Sequence, residues 1–519
     1  MNDNDRNPYW DEIERVLPRL LASYDRDPLS PTLGLGDRLH WAWKTADFAN
    51  ATPQGAVNGL SRLLAAGRLP MGLSRQSVIR RIGEMIRATG ALSARDGSLV
   101  EAFPNEKSFC VTALVAFDIL CAAEHLEAHV GRETVRSWHA VAAPLIEFLI
   151  ENDETHAIIS NHLATAVAAL LRWTGPNAGR AEDRARHLLK RILDHQSPEG
   201  WFSEYGGPDP GYETLGLTYL GDVHLRRPDL GLKPHLERCL AFLGHWTHPD
   251  GSFGGLYGAR NTRFIVPAGL EALGAQFPDA AALARFARRA IGEQRVVTLS
   301  ALDDPNLAPM FNAYCWACCL AEPRAPDHVA RLPHEDPSPW RRHFPAAKLV
   351  VDNGADHYTI VAAAKGGVVY HFPKSGLAPT IDAGAVARRL GRFYTTQAYR
   401  PHNHYVVEGD RIVVEAPFVE TKSERPTPLK FLLLRGLSLT LFRSRTLLEI
   451  AKRLLVRRLI TGQRPAGPVN RRAITLGSGI KVVDEVIPPG ALEIIKVDGP
   501  FSAIHMASAG YWQRQDDAT

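Results

Sequence analysis

Apolar and polar positions follow two different rhythms along the chain. Through roughly the first 320 residues, apolar side chains recur every three or four positions, the spacing of a helix with one buried stripe. Beyond about residue 346 the runs shorten to five or so β-branched and apolar residues bounded by turn formers, as in AKLVVDNG (347–354), VVYHF (368–372) and AITLGSGIKVVDEVI (473–487). HYVVEGDRIVVEAPFVE (404–420) places two such runs across a Gly-Asp turn and predicts a β-hairpin.

The helical part repeats. SPEGWFSEYGGPDPGYETLGLTYL (197–220) aligns with HPDGSFGGLYGARNTRFIVPAGLEAL (248–273), each with a Pro-acid-Gly turn, an aromatic, a Gly-Gly pair and an apolar helix. An amphipathic stretch precedes each, RAEDRARHLLKRILDHQ (180–196) and LKPHLERCLAFLGHW (232–246). The unit is therefore outer helix, Gly-rich loop, inner helix. Steps of about fifty residues reach the start of an apolar helix near Asn58–Leu60, Cys110, Asn161, Tyr212, Thr262 and Asn312. One hairpin cannot bury its apolar face alone and must stack on its neighbours, and six can close into an (α/α)6 toroid. The expected fold is mainly α plus β: a toroid over 1–325, a Pro-rich linker over 326–345, and an antiparallel β-sandwich over 346–519 with a basic helical insertion at about 440–462.

Register turns packing into chemistry. Loops at one phase of the repeat meet at one rim, so Asn161-His162, Glu204-Tyr205, Tyr212-Glu213 and Arg260-Asn261-Thr262 are expected together where helix N-termini favour an anion. Each has a plainer explanation: Asn161 as a helix cap, His162 as a satisfied core histidine, Tyr212 as packing between hairpins. Their coincidence at one phase of three consecutive units favours a site.

Charge and cysteine content narrow the classes. With 60 basic and 56 acidic residues the net charge is +4, which gives no field suited to nucleic acid. The opening residues lack a secretory h-region, and no 18-residue apolar run occurs, so a cytoplasmic protein is expected. Cys315, Cys318 and Cys319 form a C-x-x-C spacing on an apolar helix with no second pair nearby, which reads as buried cysteine rather than metal ligand; no cofactor or metal is expected.

In this order, with Asn-His opening one inner helix and a Tyr about fifty residues later after an acid-Gly-aromatic loop, the chain resembles the heparinase II/III-like and oligoalginate-lyase group of polysaccharide lyases. The resemblance implies β-elimination on a uronate-containing oligo- or polysaccharide, with Asn161 neutralising the carboxylate, His162 neutralising it or acting as base, and Tyr212 acting as base or acid. The chemistry asks for such groups, because a proton α to a carboxylate is weakly acidic and needs donors to stabilise the charge that develops. Arg260 is expected either to lower the Tyr212 phenol or to form a salt bridge with Glu204 or Glu213. Relatives carry a histidine cluster at the start of the β domain. Here His371 is isolated and His402 and His404 form a His-x-His with no Asp after it, so these three are the candidate β-domain histidines. Glu204, Tyr205, Glu213, Arg260 and Asn261 are the candidate substrate-binding residues.

Competing readings are a glycoside hydrolase using Glu204, Asp209 and Glu213 as paired carboxylates, a uronate epimerase on the same toroid, and a non-catalytic glycan-binding protein of polysaccharide biosynthesis or export. A terpenoid cyclase would need an Asp-rich motif that is not present. Separately, the stretch 430–464 carries a helical apolar stripe of Leu447, Leu448, Ala451, Leu454 and Leu455. Arg443, Arg445, Lys452, Arg453, Arg457 and Arg458 surround that stripe. Such a helix suits either a solvated basic face or peripheral contact with an anionic membrane.

Overall fold

A computed structural model describes residues 7–154, 157–320, 330–421, 425, 427–456, 464–497, 499–504 and 507–514. Among the described residues thirteen α-helices come first: α1 (Pro8–Ala22), α2 (Arg38–Trp41), α3 (Val57–Ala65), α4 (Arg75–Leu92), α5 (Phe109–Val130), α6 (Arg132–Glu151), α7 (Ser160–Arg172), α8 (Ala178–Asp194), α9 (Pro210–Arg226), α10 (Lys233–Leu243), α11 (Pro267–Leu273), α12 (Pro278–Gly292) and α13 (Asp304–Leu320). The chain divides into two compact units, one of residues 1–195, 213–236 and 265–329, the other of 196–212, 237–264 and 330–519. Two Gly-rich loops of the helical repeat thus group with the β-strands.

Within the first unit the inner helices succeed one another, α3 on α5, α5 on α7 and α11 on α13, and α13 returns to α3. Buried Arg172 of α7 pairs with Asp222 of α9 and Glu124 of α5, bridging the middle of the ring. Gly269 of α11 sits where a Cβ would lie 2.6 Å from the Leu217 backbone of α9, so only glycine permits that approach. At the closure, Asn312 of α13 donates to the Gly55 carbonyl (2.9 Å) and accepts from the Gly59 N–H (2.8 Å). The outer helices bury a stripe only; in α8 it is Ala181, Ala185, Leu188, Leu189 and Ile192. α1 lies on α12 and α13, supplying the sixth outer helix. This is the helical toroid the repeat predicts.

Two details of the register differ. The fifth step, Thr262, precedes α11 by a loop, and the sixth, Asn312, falls inside α13 rather than at its start. Asp303 accepts from the Asn306 N–H and a Pro follows Asp304, which starts the last helix early. Among the described residues α5 alone is long and apolar enough to cross a membrane, and 83% of its apolar window is buried, as befits a core helix of the ring. Cys315 and Cys318 are buried in α13, where burial pushes both thiols up.

The second unit holds β1 (Trp340–Phe344), β2 (Leu349–Asn353), β3 (His357–Ala362), β4 (Val368–Pro373), β5 (Thr380–Asp382), β6 (Val386–Arg389), β7 (Arg392–Thr395), β8 (His404–Glu408) and β9 (Arg411–Glu420). Helices α14 (Pro428–Leu439) and α15 (Arg445–Val456) follow, then β10 (Pro465–Thr475), β11 (Lys481–Ile487) and β12 (Glu493–Ile495). β1 occupies part of the segment read as linker. β1 to β5 form one antiparallel sheet in sequence order, and the second sheet runs β11-β10-β9-β7-β6-β12 with β8 on β9. The predicted hairpin is β8–β9, with Glu408 opposite Arg411. Val350, Val361 and Val369 of the first sheet pack with Ile412, Val414 and Ile474 of the second, the dry interior of a sandwich. The basic insertion is two helices rather than one, beginning with α14. Arg445 and Lys452 lie in α15, whereas Arg457 and Arg458 lie outside the described residues.

Candidate active site

In the helical unit the cap of α7 is Ile159, without a side-chain cap bond. Asn161 is therefore not the cap; it is a buried residue of the first turn whose carbonyl accepts from Thr165 Oγ1 at 2.8 Å. His162 is half-buried, with Nδ1 2.8 Å from Glu154 Oε2. Burial opposes a charge on this ring, but Cys110 and Glu154 outweigh it and hold the imidazole well above its usual pKa. Burial also pushes the Cys110 thiol up. The direction of this shift favours the protonated ring, which can donate to a carboxylate. Glu213, buried in α9, belongs to the same unit.

In the second unit one carboxylate organises the two Gly-rich loops. Fully buried Asp209 accepts from the backbone N–H groups of Arg260 (2.9 Å), Thr262 (3.4 Å) and Tyr212 (3.3 Å) and from the Thr262 hydroxyl. Thr262 Oγ1 accepts in turn from the Gly211 N–H at 2.9 Å. The Arg260 guanidinium consequently lies over two rings, 4.3 Å from the Tyr205 centroid and 4.8 Å from that of Tyr212. Phe264 meets Tyr212 edge-on at 5.6 Å. Glu204 is buried, its N–H donating to the Gly207 carbonyl across a tight turn (2.9 Å).

Two residues here hold left-handed backbones, Tyr205 at φ 58° and Asn261 at φ 59°. Non-glycine residues adopt this region at a cost that surrounding contacts must offset. For Asn261 the contacts are visible: Lys365 Nζ donates to its Oδ1 and its Nδ2 donates to Ser502 Oγ, both at 2.9 Å. Lys365 is fully buried, and burial pushes its ammonium down to about 7 although Asp209 pulls the other way.

The Tyr212 phenol departs from expectation. Arg260 does lower it, but burial raises it more, so the net direction is upward. Tyr212 rests as a neutral phenol, a proton donor.

The β-domain histidines bond elsewhere. His371 Nδ1 lies 2.8 Å from Thr359 Oγ1, and its ring stacks on His357 at 5.4 Å. Burial and His357 push it below its usual pKa. His357 is itself bracketed by Asp356 (2.7 Å) and Asp352 (2.9 Å). His402 is exposed in a turn, and exposed His404 opens β8, 4.0 Å from Glu415. Among the described residues no group of three His, Cys, Asp or Glu side chains is placed to hold a metal ion.

No family model and no curated protein matches the chain. Solved structures do. The chain is similar to the chondroitin AC lyase of Streptomyces coelicolor A3 in complex with chondroitin sulphate, 13% identical over 81% of this chain and 68% of that one, with a TM-score of 0.46. It is also similar to heparinase III, 11% identical over 92% and 78% of the two chains, TM-score 0.43. A glycosidase variant in complex with glucose matches at 11% identity over 60% and 96%, TM-score 0.37.

The residues that fix the Tyr205–Arg260–Tyr212 cluster were only partly legible. Lys365 and Ser502 escape a repeat-based reading because they lie far from the loops in sequence. The signal for Lys365 is a single cation inside the apolar run IVAAAKGGVVY (360–370), where an unpaired charge would be costly.

Proposed function

We propose that the chain is a polysaccharide lyase that cleaves a uronate-containing glycan by β-elimination. The observation carrying this reading is the Arg260 guanidinium lying over both Tyr205 and Tyr212. A permanent cation beside a phenol that stays protonated is the pair such a reaction uses. The cation draws the sugar carboxylate and stabilises the negative charge that spreads onto it as C5 loses its proton. The C4–O bond then breaks, a C4–C5 double bond forms, and the phenol gives its proton to the leaving oxygen. A neutral phenol does not take the C5 proton, which passes instead to a general base, the role assigned to the Glu204 carboxylate that acts on both Tyr212 and Arg260. The raised pKa of His162 favours the protonated ring, a donor to a carboxylate, and Asn161 is the amide donor beside it in sequence. The hydrolytic alternative is less well supported, because Asp209, one of its carboxylates, is buried and takes its hydrogen bonds from its own loops.

The test is a near-ultraviolet absorbance screen with alginate, heparan, hyaluronan, polyglucuronate and pectate oligomers. Elimination yields an absorbing unsaturated uronate; a hydrolase yields reducing ends without absorbance, and an epimerase exchanges solvent deuterium with neither. Absence of absorbance from every acidic glycan, with reducing ends appearing, would sink the lyase reading.

A further inference from the structure

Nine of the 24 large hydrophobic side chains exposed among the described residues fall between Leu429 and Leu454, a small fraction of the chain. On α14 and the turn after it, Leu429 is 75% exposed, Leu432 71%, Leu439 65% and Leu433 63%, with Phe431 and Leu441 about half exposed. Scattered exposed leucines are ordinary; this many on consecutive turns is a patch that calls for an occupant. Ser438 and Leu448 of the same segment are buried, while these leucines stay exposed.

The charge of the same segment identifies the occupant. Residues 428–456 contain six basic side chains (Lys430, Arg435, Arg443, Arg445, Lys452 and Arg453) against one acid, Glu449. At 12 residues, α14 extends about 18 Å, well short of the roughly 30 Å hydrocarbon core, so it cannot span a bilayer. A short helix apolar on several sides, followed by a basic amphipathic one, fits the boundary between lipid headgroups and acyl chains. A second copy of the chain is a poor fit, because a two-fold contact would set this cationic segment against itself. Nucleic acid would use the cations and leave the leucines in water.

We propose that α14 and α15 form a monotopic docking element, with Leu432 and Leu433 entering the acyl boundary of an anionic lipid surface and Arg443 and Arg453 meeting its headgroups. The element stands apart from the Tyr205–Arg260–Tyr212 cluster in sequence, and its role does not depend on the reaction catalysed.

The experiment is vesicle flotation of the full chain with phosphatidylcholine alone and with phosphatidylcholine–phosphatidylglycerol mixtures. Two paired variants accompany it, Leu432→Glu with Leu433→Glu, and Arg443→Glu with Arg453→Glu. All four positions are exposed, so unchanged thermal midpoints serve as the folding control. The expected result is flotation with the anionic vesicles, weak flotation with phosphatidylcholine, and a drop of roughly tenfold or more in either variant. Failure of the intact chain to float, or flotation unchanged in both variants, overturns the proposal. So does a concentration-dependent dimer by light scattering that the leucine pair abolishes in the absence of lipid binding, which would assign the patch to a second copy.

Discussion

The Lys365 ammonium donates to the Asn261 side-chain oxygen across 2.9 Å, from a position with no solvent exposure. Burial lowers its folded-state pKa from 10.5 to about 7. Between those values the unfolded chain binds more protons than the folded one, so this group makes stability rise as pH increases from about 7 towards 10.5. Lys365→Met keeps the length of the side chain and removes the charge. Urea unfolding at a series of pH values should show the variant losing that alkaline rise; parallel curves for the two proteins would mean the lysine is solvated or otherwise neutralised.

Tyr212→Phe removes the phenol and keeps the ring that Phe264 and Arg260 contact. Elimination is expected to slow by about 10²- to 10⁴-fold, the usual range for loss of a general acid, with substrate binding and thermal midpoint little altered. Kinetics on an activated leaving group decide the role: a proton donor becomes less necessary as the leaving oxygen becomes less basic, so the deficit should shrink there.

His162 titrates in the opposite sense from Lys365. Its pKa is raised in the folded state, so the stability from its bond with Glu154 is fully present below the unfolded value of about 6.5 and fades as pH climbs through the folded value. Glu154→Gln should cost about 1.5–3 kcal/mol at pH 6 and much less at strongly alkaline pH. Histidine proton shifts followed by NMR would locate the titration directly, and a ring titrating near its ordinary value would remove the imidazolium from the proposed chemistry.

Asn312→Ala breaks both bonds that close the ring, leaving the Gly55 carbonyl and the Gly59 N–H buried without those partners. Each orphaned group costs about 1–3 kcal/mol, so roughly 2–6 kcal/mol of the helical unit's stability is at stake. Gly59→Ala attacks the same closure by volume, since its Cβ would sit 2.7 Å from the Phe311 ring. Denaturant midpoints that hardly move in either variant would show that closure is held elsewhere.

How far these features are legible in sequence depends on whether they are periodic. The toroid is, because each hairpin repeats the same burial problem and so the same spacing of apolar residues. The starts of α3, α5, α7 and α9 fall near their predicted steps, while α13 departs because a local Asp-Asp-Pro-Asn signal outranks the period. Tyr205, Tyr212 and Arg260 come together because they share a repeat phase. What spacing does not reveal is protonation: the state of Tyr212 depends on how much water burial removes, and that of His162 on Glu154, which precedes α7 and carries no motif of its own. Lys365 and Asp209 act through burial as well, so their influence emerges only once the loops are folded around them.

The Asn312 clasp also has a consequence in time. Its partners Gly55 and Gly59 are made more than 250 residues earlier, which at ordinary rates of synthesis is a wait of roughly 13 to 50 s. Throughout that interval the first inner helix presents to its surroundings the apolar face that α13 will later cover. The growing chain must therefore be shielded by its own successive hairpins or by a chaperone, and a ribosome stalled before the last helix releases an arc that is open at both ends and prone to associate with others like it.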